Sequence, residues 1–440
     1  MIFLCGFVLI PLAFLYAYAP GSQLVAIAGV SSLLLALIWD ALRVVGSLDA
    51  IKLTVPEVVR STRGTETAVE VLIDSSNSAR KSFTLGLQLP DSVPASQDVL
   101  HVEMPSESSK ATVNWFCTPA ERGNYVIEQA YLGGASPWGL WEHHRMVPVE
   151  GTVRAYPNIQ RERKNMAAVF LNRDSAGIHR QRSIQQGREF AQLREYIPGD
   201  SFEDIHWKAT ARTGKPVTKL YQVERSQEIY VVIDKSSFSA TKLSDSDGSI
   251  GDTTNLERCI NAALLLGLVA EKQGDLFGLI TFDDQVRTFL KARNGRGHYN
   301  VCRDALYAAE PSEQQADFAE LFSYIRLNLR KRALLIILTN LSDPLQSERF
   351  TENVQIISRN HLIMVDMIAD PAVQPVFAPE EITMPNEVYT KLGGHFEWSN
   401  LQSIRRKLHL QNISMQFLSH EMLSVDLVSQ YMTQKQRQLL

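Results

Sequence analysis

A chain of 440 residues with 45% hydrophobic content is too long for one ordinary domain and apolar enough for two or three separate cores. Its formal net charge of −4 excludes the strongly basic character of a general nucleic-acid binder, and no nucleic-acid partner is expected. Four cysteines (Cys5, Cys117, Cys259 and Cys302) lie far apart with no CxxC or Cys/His cluster, which argues against a zinc site or a disulfide framework and suits a reducing compartment.

The first predicted element is a membrane hairpin over residues 1–45. Met1 to Ala19 contains no charged residue, and a second apolar run follows from Leu24 to Trp39 after a short Pro-Gly-Ser-Gln link. Each run approaches the ~20 residues a span requires. No basic segment precedes the first run, as a cleaved signal peptide would need. Arg43, Lys52, Arg60 and Arg63 all follow the second run, so the rest of the chain is expected on the cytoplasmic side of an inner cell membrane crossed twice.

Residues 46–160 read as a β-rich, immunoglobulin-like sandwich. Runs of strand length such as "AVEVLI", "SFTLGLQL", "ATVNWFC", "NYVIEQAYL" and "TVRAY" alternate with turn-rich pieces. Late in this region "SPWGLWEHH" reads as a turn with a tryptophan plug. Residues 161–222 divide into a charged, weakly periodic linker holding one short helical piece and a polar segment, "GREFAQLREYIPGDSFEDIHWKATARTGKP". There Pro198 and Gly199 suit a type II turn. Asp200 or Ser201 would cap a helix with Phe202, Ile205 and Ala209 on one face and Asp204 paired to Lys208. Gly214 and Pro216 would stop it.

From residue 223 the pattern is that of a wound α/β domain. Five apolar runs, starting at Ile229, Leu276, Ala333, His361 and Ile413, alternate with helical patterns. Thr254 and Glu257 form a capping box for the clearest helix, which Gly274 stops. "VRTFL" reads as an antiparallel edge strand. The acidic loop "SDSDGSIGD" lacks the glycine placement and terminal glutamate of an EF-hand and is read as solvated.

Ligands of such sheets sit at the C-terminal ends of the strands. Asp234, Ser236 and Ser237 fall at one such end, and Asn340 and Asp343 at another. This set resembles the metal-ion-dependent adhesion site of a von Willebrand factor A domain, Asp-x-Ser-x-Ser with distant Thr and Asp. Asp234 and Ser236 match, whereas Phe238 replaces the second Ser, Asn340 stands for the usual Asp, and "GRGHYN" occupies the expected place of the Thr. Mg²⁺ requires a nearly complete octahedral oxygen set, so this degenerate site is expected to bind metal poorly, and no cofactor is assigned. As a crevice residue, Asp234 is expected to add little to stability.

The polar segment carries the more specific resemblance. Gly187, Glu189, Phe190, Arg194, Tyr196, Gly199, Asp200, Ile205, Trp207, Ala211 and Arg212 stand at the motif positions of the domain-of-unknown-function 58 family. The resemblance extends over nearly the whole chain, from the paired apolar runs through "ERGNYVIEQAYLGGASPWGLW" to the A-like domain; Glu203 and Asp204 replace basic residues usual in the family. It implies a non-enzymatic membrane protein that partners a MoxR-type AAA+ ATPase. GxSxG, P-loop, GxGxxG and HExxH motifs are absent, in keeping with that expectation. The segment itself is read as an interdomain latch in which Arg212 is a buried cation facing Glu189, Arg194 or Asp200. Two alternatives stand beside the adaptor: a hydrolase or transferase centred on His206 with Glu189 or Asp200, and a structural envelope protein acting through its β-rich domain.

Overall fold

A computed structural model describes residues 23–45, 48–75, 82–104, 109–174, 189–222, 226–243, 253–370, 373–375 and 385–436. The chain forms two compact units, Met1–Asn158 and Ile159–Leu440. The first apolar run lies outside the described residues. The second forms helix α1 (Gln23–Val44), whose window Ile27–Val44 is long and apolar enough to cross a membrane. Leu34, Leu35, Ile38 and Leu42 are exposed along it, so it is no core helix of the described unit.

Two sheets complete the first unit. One has the order β1 (Ile51–Thr54), β3 (Thr67–Ser75), β6 (Lys110–Cys117). The other runs β2 (Val58–Thr62), β8 (Glu142–Tyr156), β7 (Gly123–Ala135), β4 (Ser82–Leu87), β5 (Leu100–Glu103). Alternating residues of both, among them Val69, Val71, Trp115, Leu85, Ile127 and Leu132, bury into one shared core. Pairing is antiparallel except between β2 and β8, which run parallel, so the unit departs from the all-antiparallel pattern expected.

The charged stretch after Asn158 holds the helical piece expected there, but that piece is docked on a core and is not a free linker. Gln160–Asp174 is a helix, α2, with Ile159 and Met166 packed against the core of the second unit. Glu162 is buried and accepts a hydrogen bond from Asn261 Nδ2 at 3.0 Å. Its apolar residues are too few to give a periodic signal, but a core formed a hundred residues later recruits them.

Next comes a hairpin of β9 (Glu189–Glu195) and β10 (Val217–Gln222) that encloses helix α3 (Trp207–Thr213). The remaining strands are β11 (Glu228–Asp234), the short β12 (Lys242–Leu243) and β13 (Thr253–Thr254), β14 (Leu276–Phe282), β15 (Val286–Arg293), β16 (Ala333–Leu338), β17 (Leu362–Ile368) and β18 (Ser414–Leu418). The helices are α4 (Asn255–Gln273), α5 (Arg296–Leu306), α6 (Phe318–Asn328), α7 (Pro344–Asn353), α8 (Gln355–Ser358), α9 (Pro385–Leu410) and α10 (Leu423–Gln436).

Six strands form one sheet in the order β15-β14-β11-β16-β17-β18, parallel except for β15. Because side chains alternate along a strand, β11 feeds two cores. Ile229, Val231 and Ile233 pack with α4 and α10, whereas Tyr230 and Val232 pack with α6, α7 and α9. The threonine cap holds: Thr254 Oγ1 accepts from the Glu257 N–H at 3.3 Å, and Gly274 ends α4 at φ 79°. Gly278 lets β14 pass against the Tyr230 ring, since a Cβ there would clash with that ring and lie 2.9 Å from the Leu290 carbonyl oxygen.

Candidate functional site

The strand order reverses direction between β11 and β16, which opens a crevice at their C-terminal ends. Asp234 closes β11 there and is 6% exposed. The Ser236 N–H donates to its Oδ1 at 2.8 Å, and the Thr339 hydroxyl donates to its Oδ2 at 2.5 Å. Burial pushes the Asp234 carboxyl up, those hydrogen bonds pull it back, and nearby Asp283 adds repulsion. The structure therefore gathers Asp234, Ser236, Ser237, Asn340 and Asp343 at one end of the sheet but employs several of them locally. Asn340 Oδ1 accepts from the Ser342 N–H at 2.7 Å, and Asp343 caps α7 through the Leu345 N–H at 2.9 Å.

This donor set does not fit Mg²⁺. Both Asp234 oxygens, Asn340 Oδ1 and Asp343 Oδ1 already accept protein hydrogens. Among the described residues no group of three His, Cys, Asp or Glu could hold a metal ion. The sequence also looked for the missing Thr in the wrong segment. Because β15 runs antiparallel, its end carries Gly295–Asn300 to the N-terminal end of the parallel strands, away from the crevice, where a His298 ring nitrogen lies 2.8 Å from the Phe277 carbonyl oxygen. The loop that flanks Asp234 is 312–315. The Ser312 N–H donates to the Lys235 carbonyl at 2.7 Å, and the Ser237 N–H to that of Gln314 at 3.0 Å.

Beside this end opens a cavity of about 710 Å³, within the size range of ligand sites. Phe238, Met367, Trp398, Leu401 and Phe417 supply apolar wall, and Lys242, Asn340, Glu397 and His420 supply polar rim. Sequence reasoning missed Trp398 and His420, because nothing local ties α9 or the end of β18 to β11. It also missed Thr339, which reads as the last residue of an apolar strand, and Asp366. Asp366 is 2% exposed in mid-β17, and burial pushes its carboxyl up to about 7 although Gln430 donates to it at 3.1 Å.

The polar segment is a small structure in its own right. The Asp200 N–H donates to the Ile197 carbonyl at 3.0 Å across a turn whose Gly199 has φ 113°, as the turn reading expects. Arg194 Nη2 reaches Asp200 Oδ1 at 2.6 Å, and Asp200 Oδ2 accepts from the Ile197 N–H at 3.1 Å. The single helix expected over 201–212 is instead a 3-10 turn, Phe202–Asp204, followed by α3. Ile205 breaks the two because it is extended, buried and bridged to Thr218, so Phe202 and Ala209 do not share its face and Asp204 is not one turn before Lys208. His206 caps α3, its Nδ1 accepting from the Ala209 N–H at 3.0 Å. With Nδ1 engaged and Asp200 held by Arg194, the His206–Asp200 pairing of the catalytic alternative is not formed. Arg212 is exposed on α3, which corrects its assignment as a buried cation; Arg194 is the one paired with Asp200. Trp207 is 69% exposed and Tyr196 stacks on exposed Phe202 at 6.0 Å. Glu189 and Phe190 lie on β9 opposite Gln222 and Tyr221, and Gly187 lies outside the described residues.

The six-stranded order with its antiparallel edge defines a wound α/β domain of the von Willebrand factor A-like kind. Residues 192–378 match the family described as "Protein of unknown function DUF58". An uncharacterized protein of Mycobacterium tuberculosis is 24% identical over 187 residues, which span 42% of this chain and 56% of that one. The chain thus covers about half the length of that relative. The uncharacterized protein YeaD of Bacillus subtilis is 27% identical over 135 residues, 29% of this chain and 32% of its own. Among solved structures, the conserved hypothetical protein BatB of Bacteroides thetaiotaomicron is similar at 13% identity and TM-score 0.31, over 48% of this chain and 100% of that one.

Proposed function

We propose that the protein is a membrane-anchored, non-enzymatic adaptor whose A-like domain docks a protein partner at the strand-end crevice beside Asp234. The observation that carries this reading is the crevice itself: an apolar cavity with a polar rim, next to a carboxylate whose two oxygens each accept a hydrogen bond from its own chain. Such a wall suits side chains of a partner better than a hydrated ion. The same proposal takes the first unit as an immunoglobulin-like sandwich, the anchor as a two-span hairpin, and the described units as cytoplasmic. Its first candidate partner, implied by the family resemblance, is a MoxR-type AAA+ ATPase. Crosslinking of the anchored protein in its own membrane, with and without Trp398→Ala, tests it. Capture of an ATPase that Trp398→Ala weakens at least tenfold is the expected result; repeated capture of no ATPase removes the partner, and capture indifferent to Trp398 removes the crevice.

A second reading rests on the hairpin, where Ile197, Phe202 and Trp207 are all exposed. In it, this apolar surface and not the crevice is the docking face, and Trp207→Ala in the same crosslinking experiment distinguishes the two.

A further inference from the structure

Between β7 and β8 the chain makes a tight turn, Ser136 to Trp141, that the crevice does not explain. Buried Ser136 builds it: its Oγ accepts from the N–H groups of Leu140 and Trp141 at 3.0 and 3.1 Å. The Gly139 N–H closes onto the Ser136 carbonyl at 2.9 Å, with Gly139 at φ 68°. A turn so fixed directs its indoles by construction, and it directs them outward. Trp138 is 56% exposed and Trp141 is 39% exposed, against the expectation of a buried plug.

Both indoles meet the last turns of α1. The Trp138 and Trp39 ring centroids are 5.6 Å apart, and the Trp141 Nε1–H donates to the Leu37 carbonyl at 3.2 Å. The Arg43 guanidinium lies 4.6 Å from the Trp39 ring centroid. Asp40, fully buried, accepts the Trp138 N–H at 3.2 Å, so the turn covers the one carboxylate on this part of the helix. Three indoles and an arginine therefore share one level, where the apolar helix approaches its end. Leu35, Ile38, Leu42 and Trp138 line an open apolar groove there. Indoles have an apolar body and a polar N–H, and they concentrate at the headgroup level of bilayers together with flanking arginine.

The geometry points to a second membrane contact: the Ser136–Trp141 turn lies in the interfacial layer of the phospholipid bilayer that α1 enters. The contact rests on reading α1 as a span. What it adds is that the β-rich unit grips the lipid surface itself and so sets the depth at which the helix ends. Continuity with the span selects lipid as occupant of the groove, because the exposed leucines of α1 run directly into it.

Full-length protein reconstituted in phosphatidylcholine vesicles provides the test, with Trp138→Phe/Trp141→Phe as the variant. The difference in emission between the two proteins isolates these indoles from the remaining tryptophans. Flotation with the vesicles, at least twofold quenching of the difference emission by shallow-brominated lipid, and protection from iodide are expected. Flotation with iodide quenching and no bromolipid quenching overturns the second contact while leaving the anchor intact. Flotation with protection from both quenchers also overturns it, in favour of a protein cover such as a second copy. Failure to float removes the anchor and the contact together. If the double variant misfolds, Trp138→Phe and Trp141→Phe are compared singly.

Discussion

Replacing Asp234 by Ala tests whether this carboxylate is a structural clasp between strands or a spare crevice ligand. The sequence reading treats it as dispensable for stability, whereas the structure gives it two buried donors on two segments, Ser236 N–H and Thr339 Oγ–H. Removing the acceptor strands both, at about 1–3 kcal/mol for each unsatisfied buried donor. Part of that sum is returned because a desolvated carboxylate, already pushed up by burial, no longer has to be held. We expect a net loss of about 2–4 kcal/mol, equivalent to roughly 30- to 1,000-fold in the opening equilibrium. Asp234→Asn keeps an acceptor for Ser236, and the Thr339 hydroxyl can turn to accept from the new amide, so its loss should stay below about 1 kcal/mol. Hydrogen exchange of β11 and β16 amides in the full-length protein reads this locally, without assuming that the two units unfold together. Exchange accelerated less than threefold in Asp234→Ala would refute the clasp. Protection increased by Mg²⁺ in the wild type and not in Asp234→Ala would refute the conclusion that these residues do not fit the ion.

Three further perturbations have signed outcomes. Asp366 has a raised folded-state carboxyl, so the native state holds a proton that the unfolded chain has lost; its contribution falls as pH rises from about 4 to about 7 and is flat above that. Asp366→Asn should flatten this slope in thermal unfolding and leave the variant more stable than wild type at pH 8, by at most about 4 kcal/mol; an unchanged slope contradicts the assignment. Gly278→Ala should destabilise β14 by at least about 2 kcal/mol, because its methyl meets the Tyr230 ring and the Leu290 carbonyl, and a melting temperature equal to wild type would show that the ring can retreat. Fully buried Asp275 receives Lys435 Nζ at 2.6 Å, the Tyr431 hydroxyl and the Gln227 N–H, so Lys435→Met should cost about 3 kcal/mol in the same unfolding assay; a loss below about 1 would place the pair among exposed ones.

The strands of the large sheet were legible because each is buried on both faces and so reads as an unbroken apolar run bounded by polar turns. Helix α4 was legible through its cap residues, which act within one turn of themselves. The site was only half legible for the same physical reason. Asp234 and Ser236 lie two residues apart, but Thr339 joins Asp234 across 105 residues and Trp398 enters from another helix, and no local period encodes either meeting. The helical piece that became α2 was legible but its docking was not, because its apolar residues are few and its burial is conferred by α4 and α10. Arg212 misled for a different reason: a charge in a dense polar motif looks paired, yet six residues of spacing had already matched Arg194 to Asp200.

Among the described residues, the hairpin of β9 and β10 joins no strand of the six-stranded sheet or of the two sheets in the first unit. A lone two-stranded ribbon is marginal in water, and this one is held by the Arg194–Asp200 pair, the cap on α3 and the buried Ile205. Its amides are therefore expected to exchange with solvent through local openings that leave β11 and its neighbours closed, which hydrogen exchange can check. A partner that grips exposed Trp207 and Phe202 would have to order this ribbon as it binds, so its affinity would be set by how often the ribbon is already folded. The segment that carries the family's motif would thus act as a latch in time and not in space, closed only for the fraction of molecules that have it assembled.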